Sequence, residues 1–228
     1  MMINLMARGT TAPPLRPGHR RRLLTVSGLV GVGYSLSWIA GLAVPAPSPG
    51  FGAGGTEIVA ALSGHSPAGA AQFTLTEGLP AAGIAVITVA LARTARRSGS
   101  TAAARFALVA GLAAAVISAM QFGLGLALTA TSAPGPAHLL FSSVDRLDGA
   151  KMLTLAVLGA AAATMVALPR WLRWAGIALA VAITCSGLVY LLLIAPLAAA
   201  AGPALVLLLA FMTGCGIMTG MTVGHRDR

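Results

Sequence analysis

Glu77, Asp148 and Lys151 are the residues of this chain best suited to chemistry. Two carboxyl groups and the chain's single lysine can donate, accept and hold protons, the work of a general acid or base. Asp145, Asp148 and Lys151 follow at intervals of three, so on a helix they share one side. An Asp148–Lys151 pair, or Glu77 reaching Lys151 from a neighbouring helix, would lower the cost of burying either charge. A buried carboxyl without such a partner is kept neutral, the form a general acid needs. These three form the expected catalytic set. Tyr34, Trp38, Phe73, Gln121, Phe122, Phe141 and Tyr190 map to the same part of the chain's topology. They are the expected lining of a cavity for a hydrophobic substrate, with ring faces able to stabilise a cation. Ser118 is a further polar group at that level.

The elements that must position them are membrane spans. The 228 residues are 57% hydrophobic and 9% charged, far from the roughly one-quarter charged content of a soluble domain. Six apolar stretches approach the ~20 residues needed to cross a hydrocarbon core: Leu23–Val44, Gln72–Ala92, Phe106–Ala130, Asp148–Leu168, Trp174–Ala195 and Pro203–Val223. The second and fourth qualify only if ionisable residues sit in their outer turns. The expected fold is all-α, a single polytopic bundle of six transmembrane helices over residues 23–223. A basic tail, 1–22, precedes it, and 224–228 follow.

Net charge is +10, but the arginines are dispersed between spans and build no single basic face for nucleic acid. Arg8, Arg16, Arg20, Arg21 and Arg22, then Arg93, Arg96, Arg97 and Arg105, then Arg170 and Arg173, then Arg226 and Arg228 all fall on one side of the six-span topology. By the positive-inside rule that side is the cytoplasm, with both termini there. The expected setting is a bacterial cytoplasmic membrane, with lipids and a hydrophobic small molecule as partners and no nucleic acid. No metal or cofactor is expected, since Cys185, Cys215 and the histidines show no ligand spacing. Residues 45–71 form the longest external loop, with an amphipathic helix over 56–62 capped by Thr56 and suited to a lid. A second loop is expected over 131–147, and a short one near 196–202. Gly33, Ser37 and Gly41, and Gly216 with Gly220, read as small-residue stripes for close helix packing.

Depth follows from the 1.5 Å rise per residue. Glu77 is sixteen residues from Arg93, about 24 Å across the core, and Lys151 is nineteen from Arg170, about 28 Å across. The acid and the lysine therefore share a level. His65 and His138 read as surface residues, and Trp171 and Trp174, beside Arg170 and Arg173, as interface anchors.

The stretch from Leu168 to Gly176, with its Pro169-Arg170-Trp171-Leu172-Arg173-Trp174 centre, resembles a cytoplasmic connector in small six-span membrane proteins of high-GC actinobacteria, a group classed as a domain of unknown function. In architecture and sparse carboxylates the chain also resembles the small bacterial integral-membrane terpene cyclases. That likeness implies acid-initiated protonation of an isoprenoid-like substrate. The competing expectation is a non-catalytic protein: a small transporter, a lipid-binding subunit or a membrane anchor for a partner.

Overall fold

The structure, a computed structural model, describes residues 17–47, 49–50, 52–192 and 201–221, with side chains from Val26 onward. The described residues are helical: α1 (Pro17–Leu42), α2 (Gly55–Leu62), α3 (Ser66–Phe73), a π-helical turn (Thr74–Gly78), α4 (Leu79–Arg97), α5 (Thr101–Thr129), α6 (Pro134–Ala163), α7 (Arg170–Leu192) and α8 (Ala201–Met221). Four segments are long and apolar enough to cross a membrane: Ser66–Arg97, Thr101–Thr129, Arg170–Leu192 and Ala201–Met221. Val26–Leu42 is a shorter apolar helix. The thirty residues of α6 would also reach across, but Asp145, Arg146, Asp148 and Lys151 interrupt their apolar character. Large apolar side chains stand on the outside, among them Phe106, Val109, Val166 and Val181. Such a surface suits lipid, whereas water-facing surfaces rarely carry extended apolar area.

Helices α1, α4, α5, α6, α7 and α8 pack in that order as a ring, which α8 closes against α1, and α4 also touches α8. Their approach depends on small residues, because lipid gives helices no hydrophobic reason to associate. A Cβ on Gly31 would lie 3.1 Å from the Gly216 Cα, which joins α1 to α8. Between α6 and α7 a Cβ on Gly149 would lie 2.7 Å from the Gly187 carbonyl, and one on Gly176 would lie 2.6 Å from that of Gly159. The expected stripe on α1 is corrected in one place. Nothing lies within 4 Å of a Cβ on Gly33, so the close approach is made one turn-phase away, at Gly31.

Chain ends of the helices follow local chemistry. Gly99, at φ 83°, closes α4, with Ser100 N bonding Ala95 O and Gly99 N bonding Arg96 O, the paired bonds of a Schellman motif. Arg173 Nε donates to Ala163 O at 2.8 Å and so caps a carbonyl at the end of α6.

Several expected boundaries change. The loop expected over 131–147 is helical from Pro134. Pro134 and Pro136 fall in the first turn, where a missing N–H costs no intrahelical bond, so they start the helix instead of breaking it. The basic tail expected to run to residue 22 is helical from Pro17. The amphipathic helix forms as α2, but Gly54 is its N-cap, no side chain caps it, and Thr56 lies inside the first turn. Ile58 and Leu62 are buried there in a small core with Ala53, Leu128 and Ala137, so α2 folds onto the α5 and α6 ends instead of lying free. Residues 1–16, 193–200 and 222–228, with Ser48 and Phe51, lie outside the described residues. The flanking arginines there and the short 196–202 loop are therefore not described, save that α8 begins at Ala201.

Candidate functional site

Glu77 reaches the bundle interior from an unusual backbone. The segment from Ser66 to Arg97 runs as one helical unit, and the π turn inserts an extra residue's worth of winding at Thr74–Gly78. Single π turns concentrate at functional positions because they shift the phase of everything that follows. Local bonds favour this one. The Thr74 hydroxyl donates to Ala70 O at 2.8 Å and the Thr76 hydroxyl to Gln72 O at 3.0 Å. Ser37, on α1, donates to Leu75 O. The Phe122 ring covers Gly78, where a Cβ would lie 3.2 Å from it.

At this turn the three expected residues meet. Lys151 Nζ lies 2.9 Å from Glu77 Oε1 and 2.8 Å from Glu77 Oε2. It also lies 2.7 Å from Asp148 Oδ1, one helical turn away on α6. Glu77 and Lys151 are 6% and 4% exposed, which decides that the pair is interior and not a surface ion pair. The Asp148 side chain is more open, at 19%. Ser118, on α5, donates to Glu77 Oε2 at 2.6 Å. Gln121, also on α5, donates through Nε2 to Asp148 Oδ1 at 3.3 Å and to Val144 O at 3.2 Å. Both acceptors fix which way the amide points, and Gln121 Oε1 is left buried without a partner. With every group ionised the cluster carries two negative charges and one positive, so one proton would neutralise it.

Asp148 and Lys151 of this cluster also line a crevice of about 30 Å³. Trp38, Asp148, Lys151, Ile183, Leu205 and Leu208 contribute to its walls, where α1, α6, α7 and α8 face each other. Its surface is almost wholly apolar, and its volume suits a group of methyl size or one or two waters. Lys151 Nζ stands 5.9 Å from the centre of the Trp38 ring, within range of a weak cation–π contact.

The expected aromatics divide. Trp38 lines the crevice. Tyr34 is buried in the main core, with its ring against Gly83 on α4. Tyr190 is half-buried on α7, within electrostatic reach of Asp148, Asp145 and Lys151. Phe122 packs on the π turn. Phe73 and Phe141 instead pack in the small core beneath α2, so they belong to the cap. Glu57 and Arg146 are exposed. His138 is exposed too, with Nδ1 3.3 Å from Ala53 O. Sequence reasoning did not single out Ile183, Leu205 and Leu208, which are ordinary apolar positions in apolar spans. It also passed over Ser186, whose buried Oγ has no partner one turn from Ile183.

The fold and the site together define an all-α, membrane-type helical bundle with a buried carboxylate–ammonium–carboxylate cluster. No protein-family model matches the chain, and no curated protein or solved structure matches it either.

Proposed function

We propose that this chain is a six-span protein of a bacterial cytoplasmic membrane, with its arginine-bearing end in the cytoplasm, and that it is an enzyme acting on a hydrophobic, isoprenoid-like substrate by acid catalysis. The observation that carries this reading is an apolar crevice with Asp148 among the residues that line it. Asp148 is the acid of choice. Glu77 is engaged on both oxygens by Lys151 and on one by Ser118, which makes it the fixed counter-charge. Asp148 is the more open carboxyl and forms part of the crevice wall. Carrying the one proton that neutralises the cluster, Asp148 would give it to an alkene carbon: the O–H and the C=C π bond break, a C–H bond forms, and a carboxylate and a carbocation are left. Ring closure and loss of a proton to the carboxylate restore the acid. The Trp38 face beside the crevice suits the developing positive charge. Only the tip of a chain fits as the walls stand, so the remainder must enter by moving side chains such as Leu205 and Leu208.

Protein in nanodiscs, incubated with farnesyl-bearing substrates and followed by mass spectrometry, tests the reading. Turnover lost in Asp148→Asn supports it; turnover equal to that of the unmodified protein removes Asp148 from the mechanism. The second reading, proton-coupled transport, is favoured by the π turn, since interrupted helices often carry the coupling sites of transporters. Proton flux in proteoliposomes that requires Asp148, with no product formed, would favour transport.

A further inference from the structure

The π turn sets the phase between two differently packed halves of one helical unit. On one side, Gly69 meets Thr129 and Phe73 covers Gly125, which seats α3 on α5. On the other, Gly83 meets Tyr34 and Thr88 covers Gly111, which seats α4 against α1 and α5. Glu77 sits in the turn that reconciles the two. One side chain touches both the backbone of that turn and its charge. Ser118 Oγ lies 2.6 Å from Glu77 Oε2 and 3.2 Å from the Glu77 carbonyl oxygen. A hydroxyl has one proton to give. The carboxylate is the stronger acceptor and takes most of it, while the Glu77 carbonyl oxygen lies beside it.

We propose that Ser118 is a positioning residue that locks the Thr74–Gly78 π turn to the Glu77–Lys151 ion pair, so that the winding of the turn depends on the charge of Glu77. Without the ionised carboxylate, Ser118 loses its stronger acceptor, and the turn's polar tie to α5 weakens while Phe122 still packs on Gly78. Without Ser118, Glu77 keeps Lys151 but the turn's backbone is freed. The two residues therefore act as one unit on the backbone. The proposal rests on the ion pair of the functional reading but not on any substrate.

Hydrogen–deuterium exchange of the full chain in nanodiscs, read on peptides covering residues 72–82, tests it. Ser118→Ala and Glu77→Gln should each speed exchange in the turn by about tenfold or more, the size expected for losing one charge-assisted bond. The double variant should be no faster than the faster single, and Ser118→Thr should restore slow exchange. Additive effects of the two substitutions, or a turn whose exchange ignores Ser118→Ala, would overturn the coupling. Should Ser118→Ala fail to fold, Ser118→Cys, a weaker donor, is put through the same cycle with the same two outcomes. No substrate is present, so failure here is separable from failure of the enzyme reading.

Discussion

Replacing Lys151 by Met removes the only cation from a buried site and leaves its two carboxylates facing each other. The ammonium makes three contacts of 2.7 to 2.9 Å to carboxylate oxygens, in a residue that is 4% exposed. Breaking a buried pair from one side costs about 3–5 kcal/mol, because the remaining charge stays desolvated. At about 1.4 kcal/mol per factor of ten, the folded-to-unfolded ratio should fall by roughly two to four orders of magnitude. Unfolding in mixed micelles, followed by tryptophan fluorescence against detergent composition, measures this. The decisive comparison adds the acids: Glu77→Gln and Asp148→Asn on the Lys151→Met background should recover most of the loss, since a neutral, well-packed replacement of a buried ionic group is often no worse than the original. A Lys151→Met variant as stable as the parent, or a triple variant no better than the single one, would refute the claim that the cluster is held together by its charges.

Other expectations concern packing and titration. Gly149→Leu should destabilise by several kcal/mol, as α7 backbone would lie 2.6 Å from the new Cβ and overpacking by a single methylene already costs about 1–3 kcal/mol. Gly33→Ala, whose Cβ meets nothing within 4 Å, should be neutral or gain up to about 1 kcal/mol of helix propensity; thermal unfolding of the two variants side by side checks both. Arg173→Ala should cost about 1 kcal/mol through the lost bond to Ala163 O. Asp145 sits on α6 one turn before Asp148, and burial, then the Asp148 charge, push its carboxyl up from 3.8 to about 6. A raised carboxyl penalises the charged form in the folded state, so its contribution is neutral below about pH 4 and destabilising above about pH 6. Asp145→Asn should therefore remove a fall in stability between those limits, visible in unfolding midpoints across pH.

Much of the site was legible because depth along a helix can be counted. Sixteen residues from Arg93 and nineteen from Arg170 put Glu77 and Lys151 at one level, and the structure pairs them at that level. The three-residue spacing of Asp148 and Lys151 was equally readable. Azimuth was not. Phe73 and Phe141 share the site's half of the bundle but point into the cap core, and only the packing of α2 decides that. The one sequence cue for the π turn is Pro80, which has no N–H for the carbonyl four residues back; it marks a disturbed winding but not its phase, and tertiary contacts with Ser37, Ser118 and Phe122 hold Glu77 in place. Pro134 and Pro136 read as loop residues because proline stops helices, yet proline equally opens them. The role of Glu77 shifts with the pairing: it is held on both oxygens by Lys151 and on one by Ser118, whereas Lys151 and Gln121 both meet Asp148 at Oδ1.

The most direct test of Asp148 as a proton donor is turnover of a farnesyl-bearing substrate in deuterated buffer, with product mass as the readout. An acid-initiated reaction through Asp148, whose recaptured proton exchanges with solvent between turnovers, inserts one solvent deuteron per product molecule, and Asp148→Asn should reduce that turnover by about a hundredfold or more. Product formed without label, or labelled product formed equally well by Asp148→Asn, would contradict the account.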